Sequence, residues 1–275
     1  MGQVVHTLPI GQPVCGVTSL ADEVFLLRDK ERDQVEVYDA ITYRLQRCLT
    51  VPNLRGLADM TSCQHYLCVY VSDDDVECIH RLDSQGKAAT QWPVYDKPDG
   101  LSVNRAHNLL VTCGVVDKIK EFSTHGDLLR EITLPDAVIN PFHAIQPTSG
   151  QFVVCHLYAD DEFYSVSIMS ADGRHIVHSH GGQPGPHTDQ DDVPCHLAVD
   201  ENECVYVVNL NNRRVKLLSP TLGYIRDVVT SDSLKWLPNK LCLDTQGGRL
   251  YVADRDDREW KDGKFIAGRV VVFNV

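Results

Sequence analysis

The feature that most constrains the fold is a sixfold internal repeat. Each segment has a short apolar strand, a turn, a stronger apolar strand, a polar loop, a third strand, a turn and a fourth strand. Successive openings lie 40, 44, 43, 53 and 44 residues apart. The openings are Gly16–Leu20, Gly56–Met60, Gly100–Asn104, His143–Pro147, His196–Asp200 and Lys240–Asp244. A period near 40–45 residues with four strands is typical of a propeller blade. The sequence therefore predicts an all-β fold, a six-bladed β-propeller with four-stranded antiparallel blades.

The second strand of each segment is the most apolar part of the repeat. Tyr66–Val71 and Glu203–Val208 are short and rich in β-branched and aromatic residues. Such nearly continuous apolar runs favour strands that are buried on both faces, as between neighbouring blades. No segment sustains a helical period, so little helix is expected.

The ends of the chain predict how the ring closes. The sixth segment ends at Val270–Val275, which corresponds to a third strand, and Val4–Pro9 is a strand without a segment of its own. Pairing of the two would complete the last blade and remove two exposed sheet edges. We therefore expect one domain over 1–275. The predicted blades cover 13–53, 54–97, 98–138, 139–193, 194–236 and 237–275, with the closing strand at 4–9.

The fifth and sixth segments carry a more specific pattern. Pro194–Asp200, Val205–Val215 and the YVAD run Tyr251–Asp254 resemble the NHL repeat. The resemblance is strong over 194–275 and looser over 13–193. NHL propellers form the C-terminal domain of tripartite-motif proteins, so the resemblance implies a TRIM-like platform that binds proteins or single-stranded RNA. The chain shows no RING, B-box or coiled coil, and ubiquitin-ligase activity is not implied. Whether it is a domain of a longer protein or stands alone stays open.

Charge and composition bound the classes of partner. The chain has 26 Lys and Arg against 38 Asp and Glu, a net charge of −12. This balance disfavours non-specific binding to DNA, RNA or anionic membranes. No apolar run reaches membrane-spanning length, and no signal peptide is evident. The ten cysteines are scattered, as expected of reduced thiols in the cytoplasm. We expect a cytoplasmic monomer without a cofactor.

The loops between second and third strands share one propeller face with the blade-to-blade connections. We call this the loop-bearing face, and it is where we expect a protein partner to bind. The alternative is single-stranded RNA on a basic arc of blades 5, 6 and 1, because RNA binding needs positive charge with stacking aromatics. The predicted contact residues are Arg28, Arg32, Arg213, Arg214, Arg255, Arg258, Trp260 and Lys261.

A second alternative is an enzyme in the central channel. The residues expected at the channel mouth are Arg55, His143, His196 and Lys240. Some six-bladed relatives, amidating lyases and lactonases, use a metal ion there. A catalytic metal usually takes three protein ligands. The repeat alignment places only two histidines and no carboxylate at the six equivalent positions, and Lys240 would repel a cation. We therefore predict no metal site and no catalytic residue in the channel.

A histidine-rich stretch in the fourth connection is a further metal candidate. It contains His178, His180 and His187 together with three aspartates. Its glycines and prolines resemble the inter-blade loop of NHL repeats. An ordinary linker is the preferred interpretation, and metal binding there stays open.

Overall fold

The computed structural model describes residues 2–28, 33–56, 58–159, 163–181, 193–256, 260–261, 264–265 and 267–275. Strand β1 (Gln3–Leu8) comes first. Blade 1 contains β2 (Val14–Leu20), β3 (Glu23–Arg28), β4 (Gln34–Asp39) and β5 (Leu45–Thr50). Blade 2 contains β6 (Met60–Cys63), β7 (Cys68–Asp73), β8 (Cys78–Asp83) and β9 (Ala89–Pro93). Blade 3 contains β10 (Gly100–Val103), β11 (Leu109–Cys113), β12 (Lys118–Phe122) and β13 (Leu128–Thr133).

The second half of the chain repeats this plan. Blade 4 contains β14 (Val138–Ile145), β15 (Phe152–Tyr158), β16 (Tyr164–Met169) and β17 (Ile176–Gly181). Blade 5 contains β18 (Pro194–Val199), β19 (Val205–Asn209), β20 (Arg214–Leu218) and β21 (Tyr224–Val229). Blade 6 contains β22 (Leu237–Asp244), β23 (Arg249–Arg255) and, after the short hairpin β24 (Trp260–Lys261) and β25 (Lys264–Phe265), strand β26 (Gly268–Asn274). The predicted all-β, six-bladed propeller is confirmed.

The ring closes through the first strand of the chain. Strand β1 pairs antiparallel with β26, with Gln3 opposite Asn274 and Leu8 opposite Val270. The last sheet therefore has the order β1-β26-β23-β22. The closing strand is confirmed, and it begins at Gln3 rather than Val4.

The hydrophobic core lies between blades rather than within one layer. Phe25 and Leu27 of blade 1 pack with Met60 and Val71 of blade 2. At the closing interface, Val24 and Leu26 pack with Tyr251 and Val272 of blade 6. Every residue of β7 is buried, including the polar Ser72 and Asp73. The predicted apolar run began two residues earlier, but Tyr66 and Leu67 are exposed and precede the strand.

Helix is almost absent from the described residues. A single 3-10 turn, Gly114–Val116, lies on the loop-bearing face of blade 3. In this part of the chain no helix has the length and apolarity needed to cross a membrane.

Candidate functional site: the centre of the channel

The innermost strands place one residue of each blade at the same level of the channel. In five blades that residue pairs with a residue close to the end of the second strand. In blade 2 the equivalent residue is Asp59, because the Ser72 backbone N–H donates to Asp59 O at 3.0 Å. The six positions are Gly16, Asp59, Gly100, His143, His196 and Lys240.

This register corrects the sequence alignment of blade 2, which put Gly56 at that level. Gly56 instead belongs to the connection before the strand, where its N–H donates to Asp73 Oδ1 at 2.8 Å. The alignment followed the resemblance of Gly56–Met60 to other openings and slipped by three residues. The prediction that no carboxylate occupies these positions is therefore wrong. With Asp59 in place the first two repeat intervals become 43 and 41 residues, which is more regular than 40 and 44.

Four of the six residues meet across the channel, and we call them the channel cluster: Asp59, His143, His196 and Lys240. Lys240 Nζ lies 2.8 Å from Asp59 Oδ1. His196 Nε2 and His143 Nε2 lie 3.3 Å and 3.8 Å from Asp59 Oδ2. The two imidazole rings stack with their centroids 4.0 Å apart. Asp59 is wholly buried, and the two histidines are nearly so.

Glycines flank the carboxylate on both sides because the neighbouring blades approach closely. A Cβ at Gly16 would lie 2.5 Å from Met60 Cβ, and one at Gly100 would lie 2.4 Å from Phe142 O. Real Cβ atoms do not tolerate such distances. One half of the ring thus contributes Gly, Asp and Gly, and the other half contributes His, His and Lys.

The local electrostatics fix the charge of each group. Burial alone would raise the pKa of Asp59, but the Lys240 ammonium and the two imidazoles hold it well below its usual range. Burial lowers the pKa of His143, helped by His196 and Lys240. Burial also lowers the pKa of His196, and Lys240 adds to that effect. At neutral pH the cluster is therefore a carboxylate–ammonium pair beside two neutral imidazoles.

Hydrogen bonds identify the tautomers of the two histidines. His143 Nε2 donates to Leu101 O at 2.9 Å, since a carbonyl oxygen can only accept. His196 Nε2 donates to the Asp59 carboxylate. Both Nδ1 atoms then keep a lone pair, and neither has a hydrogen-bond partner among the described residues although both are buried.

A cavity of about 290 Å³ lies directly beside the cluster. His143 and His196 form its floor, and its walls carry hydroxyl groups from innermost strands, including Thr18, Ser62 and Ser102. It extends to the exposed Gln64 and Gln246, where the innermost strands end. The cavity therefore opens on the face opposite the loop-bearing face.

The residues predicted at the channel mouth do not all come together. His143, His196 and Lys240 meet in the channel cluster, below the mouth rather than at its rim. Arg55 is exposed in the connection before blade 2, where its backbone N–H donates to Asp73 Oδ2 at 2.8 Å. Sequence reasoning missed Asp59, which the regularity of the repeat interval would have revealed.

The predicted basic arc is partly neutralised by its own blades. Arg28 pairs with Glu36 at 2.5 Å, and Arg214 pairs with Asp227 at 2.9 Å. Arg213 is exposed, and Arg255 is half-buried at the end of β23. Arg32 and Arg258 lie outside the described residues. Trp260 and Lys261 form β24, and their side chains lie outside the described part.

The histidine-rich stretch is divided between a strand and a segment that is not described. His178 and His180 belong to β17, where they pair with Ile168 and Val166 of the neighbouring strand. These two residues are therefore not part of a linker, contrary to the sequence interpretation. His187 lies outside the described residues.

A second buried group contains a carboxylate, a thiol and an imidazole, and we call it the blade-2 cluster: Asp73, Cys78 and His80. His80 Nε2 lies 3.5 Å from Asp73 Oδ2 and 3.4 Å from Cys78 Sγ. Burial raises the pKa of Cys78 to about 11, and Asp73 adds to this, so the thiol stays protonated at neutral pH. Because the acid and the thiol contact the same ring nitrogen, the group lacks the relay geometry of a nucleophilic triad.

No protein-family model and no curated protein sequence matches this chain. Its similarity to solved structures is in the fold. A catalytically inactive virginiamycin B lyase from Staphylococcus aureus with quinupristin superposes with a TM-score of 0.66 at 10% identity over the full length of both chains. The propeller domain of Cps50 (Swd1) from Myceliophteria thermophila gives 0.65 at 11% identity, again over both full lengths.

A third similar structure is the hydrazine synthase of Kuenenia stuttgartiensis. It gives a TM-score of 0.62 at 17% identity, over 90% of this chain and 93% of that one. The likeness is one of fold alone. At these identities β-propellers with different roles are equally similar, so the likeness selects no function. Membership of the NHL group stays a prediction.

Proposed function

We propose that the protein is a binding propeller that recognises a protein partner on its loop-bearing face. The observation that carries the proposal is a set of exposed apolar side chains on consecutive connections of that face. Val76 is 40% exposed, Tyr95 79% and Val115 74%, and we call these three residues the loop-face patch. Exposed aromatic and aliphatic residues on rigid loops are the usual anchors of protein interfaces.

The connections that carry the patch are held in place by buried or bridging polar contacts. Lys97 pairs with Asp74 at 3.1 Å and ties the connection between blades 2 and 3 to the loop of Val76. The nearly buried Lys120 pairs with Asp96 at 2.6 Å and donates to Val94 O at 2.7 Å. Gly114 N–H donates to Asp99 Oδ2 at 2.7 Å, which fixes the loop of Val115.

The backbone of Tyr95 supports the same conclusion. Its φ is 64°, a left-handed conformation that non-glycine residues rarely adopt. The surrounding contacts therefore determine the conformation rather than the residue itself. A backbone that is already fixed in this way does not have to be ordered on binding, and binding gains affinity when less has to be ordered.

The patch and the overall charge bound the chemistry of the partner. Asp74 and Asp96 of the same connections are already paired with Lys97 and Lys120, so the local charge around the patch is largely balanced. We expect the partner to present an apolar pocket or side chain, with a basic rim favoured by the net charge of −12. RNA is less well supported, because Arg28 and Arg214 of the basic arc are already paired with carboxylates.

The test uses a photo-crosslinking amino acid at position 95 of the full chain, with the same amino acid at position 41 as the control. Ile41 is 78% exposed but lies on the opposite face. The protein captured at position 95 is then purified and titrated against the wild type and against Tyr95→Ser with Val115→Ser. We expect at least a tenfold weaker Kd for this double variant and an unchanged Kd for Ile41→Ser.

Three outcomes would overturn the proposal. Capture at position 41 equal to that at position 95 would show non-specific contact. An equal effect of Ile41→Ser on the Kd would place the interface elsewhere. Loss of capture after nuclease treatment would make the ligand a nucleic acid.

A further inference from the structure

We propose that the channel cluster binds one divalent metal ion, best matched by zinc, through Asp59 Oδ2, His143 Nε2 and His196 Nε2. The fourth coordination position faces the cavity beside the cluster. This inference is independent of the loop-face patch, because the cavity beside the cluster opens on the face opposite that patch.

The distances between the three atoms are close to those of a metal site. Bonds of about 2.0–2.2 Å in a tetrahedral site separate neighbouring ligand atoms by roughly 3.3–3.5 Å. The Asp59 Oδ2 to His196 Nε2 distance is 3.3 Å, and the distance to His143 Nε2 is 3.8 Å. All three ligand atoms lie within 4.8 Å of one another. The two distances to Asp59 Oδ2 lie within about 0.5 Å of this separation. The stacked imidazoles would have to turn so that both Nε2 lone pairs face one ion.

Metal binding requires a change of tautomer in both histidines. A metal binds neutral imidazole and ionised carboxylate. Binding requires each Nε2 proton to move to Nδ1 of the same ring, or to solvent with a proton returning there. No described residue competes for either Nδ1 atom. The change of tautomer breaks no bond at Nδ1, but it removes the hydrogen bonds that the Nε2 atoms donate to Leu101 O and to Asp59.

Among the described residues, the Lys240 ammonium next to Asp59 opposes the ion, and its position is informative. Its ammonium contacts Asp59 Oδ1, whereas the histidines face Oδ2. Oδ2 already accepts the Leu101 backbone N–H at 2.9 Å, so the metal would share this oxygen with that hydrogen bond. The nearby positive charge must still weaken binding, because like charges repel strongly where water is excluded. Removal of this charge should raise the affinity.

The donor set favours zinc over harder ions. Two imidazole nitrogens and one carboxylate oxygen with an open fourth position match the ligand set of catalytic zinc sites, whereas magnesium and calcium prefer oxygen-only cages. The cavity of about 290 Å³ would admit a small molecule that offers an oxygen atom to the metal.

The experiment measures zinc binding to the purified full chain after chelator treatment, by competition with a chromophoric chelator. Cobalt(II) absorption reports the coordination geometry. We expect one equivalent of zinc per chain and a tetrahedral cobalt spectrum. His143→Ala and His196→Ala should each weaken binding by at least a hundredfold, since each removes a ligand. His80→Ala is the matched control, because it removes a buried histidine of the blade-2 cluster and should leave binding unchanged.

The variant Lys240→Met provides a second test of zinc binding that does not depend on the folding of the histidine variants. We expect this variant to bind zinc at least tenfold more tightly, which loss of structure would not produce. Binding below about 0.2 equivalents in both wild type and Lys240→Met would overturn the proposal. So would unchanged binding in a folded His196→Ala variant, or loss of binding in His80→Ala. Loss in the variant His178→Ala with His187→Ala would move the site to the histidine-rich stretch and would also overturn it.

Discussion

The channel cluster and the blade-2 cluster contain similar groups but differ in what their carboxylates contact. Each has a buried aspartate within 3.5 Å of a buried imidazole. In the blade-2 cluster the carboxylate accepts backbone N–H groups from Arg55, Gly56, Asp75 and Val76 at 2.8–3.3 Å. In the channel cluster the carboxylate accepts one backbone N–H, from Leu101, and otherwise faces side chains.

The comparison indicates that the contacts of a buried carboxylate reveal its role better than its burial does. Asp73 holds the connections of its own blade, so its oxygens are committed to the backbone and are not available to an ion. Asp59 joins side chains from three other blades, including His196 at a sequence separation of 137 residues. A cavity adjoins the second arrangement. We regard the blade-2 cluster as structural and the channel cluster as the functional candidate.

The largest effect should come from deletion of residues 1–10, because the channel cluster requires a closed ring and the blade-2 cluster does not. Loss of β1 leaves the edge of β26 unpaired. We expect the thermal midpoint to fall by roughly 10 °C or the protein to oligomerise. Cys242, which contacts Ser19 at 3.4 Å across the closing interface, should become reactive to a thiol reagent while Cys78 stays protected.

Peptide mapping of the labelled cysteines measures this difference between the two regions. The variant Val4→Ser is the control, because Val4 is 42% exposed and its side chain adds little to the packing. A deletion variant that stays monomeric with an unchanged midpoint would contradict the role of β1 in closure. Equal labelling of both cysteines would mean that the two clusters open together.

A smaller effect is expected from the Asp59–Lys240 pair. Asp59→Asn and Lys240→Met each leave the partner's charge buried, and each should lower the free energy of unfolding by about 2–4 kcal/mol. The double variant should lower the free energy of unfolding by about 1–3 kcal/mol less than the two single variants do together. Chemical denaturation in the presence of a chelator measures all four proteins.

The exposed pair Arg214–Asp227 supplies the control cycle. Its atoms are 2.9 Å apart, but the arginine side chain is 46% exposed. Solvent screening should reduce its coupling to less than about 1 kcal/mol. Equal coupling energies in the two cycles would show that burial does not strengthen the interaction between Asp59 and Lys240.

The smallest effect concerns pH and the blade-2 cluster. Burial lowers the pKa of His80 despite the neighbouring Asp73, so the unfolded chain takes up a proton at higher pH than the folded protein does. The stability that neutral His80 contributes is therefore present above the unfolded pKa of about 6.5 and is lost as the pH falls below it. Replacing His80 should reduce the slope of stability against pH by at most about 1.4 kcal/mol per pH unit.

The measurement is the free energy of unfolding of His80→Asn between pH 7.5 and 5, with chelator present. His175→Asn is the matched control, since His175 lies in an exposed turn. A slope that is unchanged in His80→Asn would show that this imidazole is not kept neutral by the fold.

The fold could be predicted from the sequence because its main signals are local and repeated. Apolar second strands such as Tyr66–Val71 and the spare strand at Val4–Pro9 indicate a closed ring without knowledge of any contact. The channel cluster could be predicted only in part. His143, His196 and Lys240 follow from repeat equivalence, but Asp59 depends on a register that motif similarity alone misplaced by three residues.

The basic arc shows a different limit of sequence reasoning. The sequence gives the order of charges along each loop but not the ion pairs that neutralise them, such as Arg28 with Glu36 across a hairpin. The loop-face patch was missed for a related reason. Val76, Tyr95 and Val115 are isolated apolar residues in polar connections, and only their measured exposure distinguishes them from core residues.

The contact between Asp59 and His196 spans blades on opposite sides of the ring, and this changes how the central opening has to be regarded. Side chains of three further blades converge on Asp59, so the channel is crossed at this level, and the adjoining cavity extends to the turns around Gln64 and Gln246. A small molecule in this cavity and a partner on the loop-bearing face would therefore not compete for the same surface.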